Sequence, residues 1–450
     1  MDWTYKPGAN GSATSLLSTY ANGSDAKYNY DYDANGNITR IWRGNTSFTN
    51  ASEKYSYVYD SANQLIRENL YYGSGNSSNA TITYEYDIWG NLLNKKIYAY
   101  TVGTLGTARE TVPYAYTNSA WKDQLTSYDG ESITYDASGN PTNYLGATLV
   151  WEGQRLKSYT PKDASSGRAN SYVYSYDENG IRTRKTIGNT VTDYYYNGTL
   201  LMGTVKTTTN SNGSTTTSKL RFSYDANGKV VAVNYNGNYY YYLRNAQNDI
   251  VKLIDKTGAT VVEYRYDSWG KLLSTSGSLA STLGKNNPFR YRGYVYDEET
   301  GFYYVSSRYY DPEIGRFINA DDIAYLGMRG LTSYNLFAYC GNNPVMGYDP
   351  YGTFDWSSFG KGAGWLAIGI TAICVGVSVL TCGVAAPAMM AVAAVTVTAG
   401  ALTAVNGVSE LGEAATGHNF VRDDVFRGNE KAYDVYSNTT AAVAENRHYF

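Results

Sequence analysis

The sequence predicts a mainly β fold that is built from stacked hairpins and followed by an α-helical hydrophobic hairpin. Three observations carry this prediction. A unit of the form aromatic-x-Tyr-Asp-x-x-Gly-x-apolar recurs from Tyr28 to about Leu273, tyrosine outnumbers phenylalanine by 49 to 11, and residues 362–409 contain no charged side chain. Units of hairpin length that recur along a chain are typical of repeat architectures, in which each unit is stable only against its neighbours.

The repeat unit itself predicts a β-hairpin. Alternating aromatic residues favour a strand, and the apolar residue at the end of the unit begins the return strand. Between them, Asp can accept hydrogen bonds from nearby amides and Gly tolerates a positive φ, so Asp-x-x-Gly favours a tight turn. A lone hairpin is only marginally stable, so the units must pair edge to edge. The strong copies begin at Tyr30, Tyr57, Tyr84, Tyr174, Phe222 and Tyr264, and weaker copies begin at Ile133, Leu149 and Tyr194.

The excess of tyrosine indicates how these sheets are solvated. A phenol ring is readily buried, but its hydroxyl needs a partner or water. We therefore expect thin sheets with broad polar faces, in which most tyrosines are scaffold. The alternative is that exposed rows of aromatic rings stack on sugars.

Charge and cysteine content exclude several classes of function. The formal net charge is −3, which disfavours nucleic acid or an anionic membrane surface as the main partner. Cys340, Cys374 and Cys382 are odd in number and lack the spacing of metal ligands, and the two histidines are His418 and His448. We therefore expect no disulfide framework, no metal site, no cofactor and no Cys-His catalysis.

The region from Pro288 to Gly352 differs from the repeats. It contains two Asp-Pro steps, at Asp311 and Asp349, each in a turn that contains glycine. The aromatic stretch 302–305 predicts a strand that leads into the first of these turns.

Several charged residues of this region suggest chemistry. Two carboxylates that share one proton can activate water and protonate a leaving group, while an arginine stabilises charge. The other interpretation is that these aspartates only cap turns. The carboxylates are Asp311, Asp321, Asp322 and Asp349, and the arginines are Arg308 and Arg316.

Two sequence blocks, YDEETGFYYVSSRYYDPEIGRFINAD and NLFAYCGNNPVMGYDPYG, resemble the RHS-associated core, and the repeats resemble the YD repeats of the same family. The family includes polymorphic toxins, the cage subunits of toxin complexes, and teneurins. The resemblance implies a spiral β-sheet shell, or partial cocoon, closed by the core. The boundaries that we predict are 1–287 for the shell, 288–352 for the core, 353–415 for the hydrophobic helical segment and 416–450 for a truncated pre-toxin linker.

The resemblance also implies a function, namely encapsulation and presentation of a C-terminal toxin in competition between bacteria. The protein is then expected to be secreted or attached to the cell surface or wall. Its expected partners are its own toxin cargo, an immunity protein and wall or surface glycans. No catalytic toxin domain is visible, no secretory signal precedes the repeats, and we expect the chain to be truncated at both ends. One alternative function is a YD-repeat adhesin that binds glycans or wall polymers.

A second alternative is an aspartyl autoprotease. In the family members that cleave themselves, the core cuts the chain just after its final DPxG block. Carried over by position, the catalytic residues are Asp321 and Asp349, with Arg316 in the place of the family's GRF arginine. The expected cleavage lies after Gly352 or Thr353. The sequence departs from the family in three ways. The first catalytic block reads DDIA in place of DPxG, the segment to Asp349 is several residues longer, and Thr353 replaces the leucine that commonly precedes the cut.

The uncharged stretch after the core is rich in alanine, glycine and valine, and is long enough to span a membrane. Pro387 divides it into two predicted helices. Two interpretations remain open. Residues 365–405 either insert into a target membrane, or fold as a dry segment inside the shell.

Overall fold

The structure is a computed structural model that describes residues 2–7, 13–21, 27–163, 170–226, 228–322 and 335–353. The chain divides into two compact units, Met1–Asp355 and Trp356–Phe450, and all described residues belong to the first. The predicted membrane segment 365–405, the linker 416–450 and both histidines lie outside the described residues. Within the described ranges, no helix combines the length and the hydropathy that a membrane span requires.

The first third of the repeat region forms an antiparallel meander, in which each strand pairs with the next in sequence. Its strands are β1 (Asp2–Pro7), β2 (Ala13–Ala21), β3 (Lys27–Tyr32), β4 (Ile38–Arg43), β5 (Lys54–Tyr59), β6 (Leu65–Tyr71), β7 (Ala80–Tyr86), β8 (Leu92–Ala99) and β9 (Glu110–Ala115).

The meander continues without a break through the remaining repeats, again with consecutive strands paired. These strands are β10 (Ser127–Tyr128), β11 (Glu131–Tyr135), β12 (Pro141–Tyr144), β13 (Ala147–Glu152), β14 (Arg155–Thr160), β15 (Tyr172–Tyr176), β16 (Arg182–Ile187), β17 (Thr190–Asn197), β18 (Leu200–Thr209), β19 (Thr215–Tyr224), β20 (Val230–Tyr235), β21 (Asn238–Arg244), β22 (Ile250–Ile254), β23 (Thr260–Tyr266) and β24 (Leu272–Ser276). The predicted mainly β fold is confirmed, and each predicted unit is a hairpin.

The turn of the first strong unit shows why the motif folds in this way. The Asp33 carboxylate accepts hydrogen bonds from the amides of Asn35 and Asn37 at 2.9 and 2.8 Å. The Asp33 amide in turn donates to the Asn37 carbonyl at 2.9 Å, and Gly36 adopts a φ of 84°. A side chain that satisfies the turn amides and a glycine at positive φ together close the hairpin. The hydrogen bond from the amide four positions later to the aspartate carboxylate recurs in the other turns. These turns are at Asp60, Asp87, Asp136, Asp177, Asp225 and Asp267.

The tyrosine before each turn aspartate joins one hairpin to its neighbour. The register of β5 and β6 shifts between Val58 and Tyr59, which is a β-bulge that bends and twists the hairpin. At the bulge the Tyr59 hydroxyl donates to the Ile38 carbonyl of the preceding unit, at 2.7 Å. The motif tyrosine is therefore a cross-link between units. Equivalent bonds join Tyr86 to Leu65, Tyr116 to Leu92, Tyr176 to Leu156, Tyr224 to Leu201 and Tyr266 to Ile250.

The meander has one buried face and one polar face, as the tyrosine content predicts. Aromatic residues two positions before the motif tyrosine, such as Tyr30 and Tyr174, are almost fully buried. Their neighbours along the strand point outward, and Val58 and Val173 are exposed for this reason. Period-two alternation with one packed face is the ordinary pattern of an antiparallel sheet.

The core region forms a small second sheet that packs on the buried face. Its strands are β25 (Val295–Asp297), β26 (Phe302–Val305), β27 (Arg308–Asp311) and β28 (Arg316–Phe317). The predicted strand at 302–305 is confirmed, but it reverses at Ser306 and Ser307, and β27 leads into the turn at Asp311. The helical elements of the described residues are a π-helical turn, Ala280–Gly284, and two 3₁₀ turns, Tyr291–Gly293 and Cys340–Asn342.

The early and late parts of the meander also contact each other. Arg43 at the end of β4 forms an ion pair with Glu263 of β23 at 3.1 Å. The Tyr72 hydroxyl donates to the Tyr266 carbonyl at 2.6 Å. Because these residues are far apart in the strand order, the sheet must curl back on itself, and the core lies on its buried side.

Candidate functional site

Three asparagines of the core bind three successive turns of the shell. Each contacts the residue four positions after a turn aspartate. The Asn343 amide donates to the Asn37 side chain at 3.1 Å, Asn342 donates to Gln64 at 2.8 Å, and Asn335 donates to Asn91 at 2.9 Å. These buried amides have their partners in the turns, so they fix the position of the core on the shell.

Two core tyrosines bind one further turn, and a core backbone amide binds another. The Tyr303 and Tyr310 hydroxyls donate to the carbonyls of Gly270 and Trp269, at 2.8 and 2.7 Å. The amide of Ala320 donates to Gly139 at 3.1 Å. The turns of the shell thus converge on the core, and the core residues that follow β28 are placed by them.

A buried group of charges joins shell strand β16 to core strand β25. We call Arg182, Lys185, Asp297 and Glu299 the anchor cluster. Arg182 contacts Asp297 through both terminal nitrogens, at 2.5 and 2.9 Å, and Lys185 contacts Asp297 at 2.8 Å and Glu299 at 2.5 Å. Burial acts to raise the pKa of Asp297, but the two cations outweigh it and hold this pKa at about 2.

A second buried group of charges lies where the described chain leaves the core. We call Arg308, Asp321 and Asp349 the exit cluster. A single nitrogen, Nη2 of Arg308, contacts Asp321 at 2.9 Å and Asp349 at 3.3 Å. The guanidinium is 2% exposed and lies over the Phe317 ring at 3.5 Å. One cation is therefore shared between two carboxylates in a site from which water is largely excluded.

One of the two carboxylates, Asp349, has a pKa close to neutral pH. Burial raises the pKa of Asp349 to about 7, the Arg308 charge opposes the rise, and the Asp321 charge adds to it. The Asp349 carboxylate also accepts a hydrogen bond from the Tyr351 amide at 3.2 Å. A carboxyl group that titrates near pH 7 can hold a proton and release it, as a general acid requires.

The carbonyl of Gly352 lies beside the exit cluster. It accepts hydrogen bonds from the Ser307 hydroxyl, at 2.7 Å, and from Nε of Arg308. Gly352 has a φ of 66°, and a Cβ at this position would lie 2.1 Å from the Val305 carbonyl oxygen. Only glycine fits this conformation and this space, so the carbonyl can be held directly against the turn between β26 and β27.

The structure brings some of the predicted site residues together and separates others. Asp321, Asp349 and Gly352 all contact Arg308. Arg316 lies instead among shell residues, where it donates to the Tyr116 hydroxyl at 2.8 Å and to the Asp123 carbonyl at 2.6 Å. The arginine that contacts both carboxylates is Arg308 of β27, and Arg316, in the place of the family's GRF arginine, contacts the shell.

Asp311 and Thr353 have different surroundings. Asp311 accepts a hydrogen bond from the Tyr144 hydroxyl at 2.9 Å and one from the Glu313 amide at 2.9 Å, and burial raises its pKa to about 6. It caps its turn, as one of the two interpretations held. Thr353, the last described residue, follows the restrained Gly352 and is half-buried.

Sequence reasoning missed Ser307 and the three asparagines, and it ranked Arg308 below Arg316. The shell partners of the asparagines had a signal, because a polar amide residue recurs four positions after the turn aspartate, just before the return strand, in Asn37, Gln64, Asn91 and Asn140. Ser307 had none, since its role depends on the reversal of the chain at Ser306.

Comparison with known proteins supports the assignment of the shell. The family model described as Teneurin YD-shell matches residues 208–345. The tRNA3(Ser)-specific nuclease WapA of Bacillus spizizenii is 38% identical over 235 residues, which are 52% of this chain and 10% of that protein. The double-stranded DNA deaminase toxin A of Burkholderia cenocepacia is 35% identical over 101 residues, which are 22% of this chain and 7% of that protein. The chain thus spans about a tenth or less of the length of these relatives.

Solved structures show the same fold. A crystal structure of TcdB2-TccC3 without its hypervariable C-terminal region matches with a TM-score of 0.60 at 22% identity, over 78% of this chain and 18% of that one. The sequence blocks of the repeats and the core, the family model and the shell fold agree. The chain is therefore similar to the YD-shell of teneurins over residues 208–345 and to the WapA nucleases in sequence, and it has the shell fold of the TcdB2-TccC3 structure.

Proposed function

We propose that this chain is the shell and core of an RHS polymorphic toxin, and that it encloses and presents the polypeptide that follows residue 353. The observation that supports this function is the position of the core. It lies on the buried face of the curled sheet, where asparagine and tyrosine side chains attach it to successive turns. The described chain ends on this core, at Thr353.

Protease protection tests this proposal. The full chain, carrying Asp349→Asn so that self-cleavage does not contribute, is treated with proteinase K and its peptides are followed by mass spectrometry. Peptides from residues 354–450 should appear only after the shell is unfolded in denaturant. The turn at 210–214, which is exposed in the structure, serves as the control that is cut in the native state. Release of the tail at the rate of this turn would contradict enclosure.

Self-cleavage is a second candidate function, and the exit cluster favours it. Asp321 and Asp349 share one guanidinium, burial gives Asp349 a pKa near 7, and the carbonyl of Gly352 is held beside them. This arrangement supplies paired carboxylates next to a fixed peptide group. It supports Asp321 and Asp349 as catalytic residues and Arg308, rather than Arg316, as their arginine.

Intact mass spectrometry tests self-cleavage. The purified wild-type chain should yield a fragment that ends at Gly352 or Thr353, and Asp349→Asn should remain full length. Asp311→Asn is the matched control, because it is a buried aspartate with a raised pKa outside the exit cluster. A full-length mass for the wild type would exclude self-cleavage in this chain.

The finer parts of the proposed function rest on the family resemblance. They are secretion to the cell surface or wall, competition between bacteria, an immunity protein that neutralises the cargo, and insertion of residues 365–405 into a membrane. Binding of glycans has one structural observation in its favour, since Tyr195, Tyr239 and Tyr241 are exposed. Retention of the protein on purified cell walls, and its loss in a Tyr195→Ser/Tyr239→Ser variant, would test that part.

A further inference from the structure

Two distant parts of the meander meet along a seam, where β4, β6 and β7 contact β23 and the turn at 267–270. The Tyr84 ring packs edge-on against the Trp269 ring, with the ring centroids 5.6 Å apart. The Glu68 carboxylate of β6 accepts hydrogen bonds from the Ser268 amide, at 3.3 Å, and from the Ser268 hydroxyl. Glu68 and Ser268 are 200 residues apart in sequence, so their contact joins the two sides of the curled sheet.

Glu68 is a fully buried carboxyl group in this seam. It is 0% exposed, and it also accepts a hydrogen bond from the Tyr84 hydroxyl at 2.5 Å. The Lys95 charge acts to lower the pKa of Glu68, but Lys95 is bound to the Glu313 carboxylate at 3.0 Å and to the Glu313 carbonyl at 2.7 Å. Burial outweighs the hydrogen bonds and this charge, and it raises the pKa of Glu68.

A second carboxyl group, that of Asp267, precedes Ser268 in the same turn. Burial and the nearby charge of Glu68 raise the pKa of Asp267 to about 8. The charge of Glu313 adds to the rise, and that of Lys95 opposes it. Two carboxyl groups that interact in this way titrate as a pair and resist carrying two negative charges at once.

The other titratable groups around the pair do not supply a free positive charge to it. Lys271, at the end of the turn, forms an ion pair with Glu313. The remaining groups are tyrosines whose pKa values are raised by burial, so they stay neutral up to pH 8. These are Tyr57, Tyr59, Tyr72, Tyr84, Tyr86 and Tyr310.

A cavity of about 80 Å³ connects the seam to water. Asp267 and Ser268 line it on one side and Tyr57 lines it on the other. A polar cavity of this size is large enough for several water molecules, which can carry a proton to and from the pair. The charged side chains in its walls form ion pairs with one another. These pairs are Arg43 with Glu53 and Glu263, Arg265 with Glu263, and Arg292 with Asp249.

We propose that Glu68 and Asp267 form a proton-dependent latch across the seam, which is closed while the pair holds a proton and opens more readily once both carboxyl groups are ionised. This inference goes beyond enclosure and self-cleavage, because it concerns only how the curled sheet is closed. When both groups are ionised, two negative charges face each other in a site from which water is largely excluded.

The direction of the pH dependence follows from the raised pKa of Asp267. The ordinary value is 3.8 and the value in the closed seam is about 8, so opening the seam releases a proton between these limits. The contribution of the pair to closure is complete below about pH 4 and is lost as pH rises to 8. Acid therefore closes the seam, and mildly alkaline solution loosens it.

Hydrogen exchange of the full chain, followed by mass spectrometry from pH 5 to pH 8, tests the latch. Each exchange rate is divided by that of the unfolded chain at the same pH, so that the intrinsic pH dependence of exchange cancels. Protection of peptides from β6 and from the turn at 267–270 should fall by up to about tenfold per pH unit, the limit for release of one proton on opening. Peptides from β17 and β18, which are outside the seam, should show no such fall.

Two variants assign the effect to the pair. Glu68→Gln and Asp267→Asn each remove one carboxyl group, and each should flatten the fall in protection. Asp267→Asn should preserve the turn, because Asn245 has the same position in another turn and accepts the Asp249 amide there at 2.9 Å. The matched control is Asp177→Asn, since Asp177 holds its turn by the same kind of bond but outside the seam. It should keep the wild-type pH dependence.

The outcomes decide the proposal in either direction. Seam protection that is independent of pH in the wild type would overturn the latch. A fall that persists unchanged in Glu68→Gln or in Asp267→Asn would also overturn it, because another group would then carry the pH dependence. If one of these variants fails to fold, the other variant still decides the question.

Discussion

The anchor cluster and the exit cluster contain the same chemical groups, but their charges are balanced differently. In both clusters a buried arginine contacts a buried aspartate. In the anchor cluster two cations meet two carboxylates, and the pKa of Asp297 is held at about 2. In the exit cluster one cation meets two carboxylates, and burial raises the pKa of Asp349 to about 7. A balanced group is suited to holding strands together, and an unbalanced group is suited to moving a proton.

The largest expected effect is the loss of the anchor. In Asp297→Asn, Arg182 and Lys185 keep their charges in a buried site without the carboxylate that neutralises them. We expect the free energy of unfolding to fall by about 3–5 kcal/mol, as is usual when one partner of a buried ion pair is removed. Urea denaturation, followed by tyrosine fluorescence and circular dichroism, measures this change.

The control for that variant is Asp193→Asn. Asp193 pairs with Arg184 at 2.6 Å, but the two side chains are 27% and 55% exposed. Solvent screens such a pair, so its loss should cost about 1 kcal/mol or less. Equal losses in the two variants would show that burial of the anchor cluster adds nothing to its strength.

The two clusters should also respond to pH in opposite directions. The pKa of Asp349 is raised from 3.8 to about 7, so its contribution to stability is complete below about pH 4 and is lost as pH rises to 7. The pKa of Asp297 is lowered from 3.8 to about 2, so its contribution is complete above about pH 4 and is lost as pH falls to 2.

Unfolding free energies measured from pH 2 to pH 8 test this difference. The curve for Asp349→Asn should lack part of the wild-type decline between pH 4 and pH 7. The curve for Asp297→Asn should lack part of the wild-type decline below pH 4. Each variant is compared with wild type because Asp311, whose pKa burial raises to about 6, also titrates between pH 4 and pH 7. Parallel curves in either range would refute the assignment for that cluster.

The repeats could be predicted from the sequence because their structure is local. A turn aspartate, a glycine at positive φ and an alternating strand are specified within nine residues, and every strong copy forms the hairpin that it predicts. The role of the motif tyrosine was only partly predicted. Its need for a hydroxyl partner was clear, but the carbonyl that satisfies it belongs to the previous unit.

The exit cluster could be predicted only in part because it is assembled from distant segments. Family spacing indicated Asp321 and Asp349, and the structure places both on one guanidinium. The choice between two arginines depends on strand pairing. Arg316 pairs with Asp311 across β27 and β28 and extends into the shell, whereas Arg308 begins β27 beside the chain exit. The spacing of residues in the sequence does not show which of the two arginines contacts the carboxylates.

A smaller effect is expected where core and shell meet through neutral groups. Asn343→Ala removes the donors to the Asn37 side chain and to the Asn63 carbonyl, at 3.1 and 2.9 Å, and leaves buried acceptors without a partner. We expect a loss of about 1–3 kcal/mol. Because no titratable group takes part, the loss should be constant between pH 4 and pH 7, unlike those of the two clusters.

The control for this contact is Asn210→Ala. Asn210 donates to the Ser214 hydroxyl at 2.9 Å in an exposed turn, where water can replace the bond. Its removal should change the unfolding free energy by about 0.5 kcal/mol or less. A pH-dependent loss in Asn343→Ala would contradict the assignment of this contact to neutral groups alone.

Of the variants in the two clusters, Asp349→Asn at pH 7 has the smaller expected change in stability, and it tests the comparison most directly. Like Asp297, Asp349 is a buried aspartate that contacts an arginine. Unlike Asp297, it is about half protonated at this pH, and Arg308 keeps Asp321 as its partner when Asp349 becomes neutral. We expect a loss below about 1 kcal/mol, within the range of ordinary substitutions. A loss of the size expected for Asp297→Asn would mean that Arg308 needs both carboxylates as counter-charges, and the exit cluster would then be a second anchor with no proton to transfer.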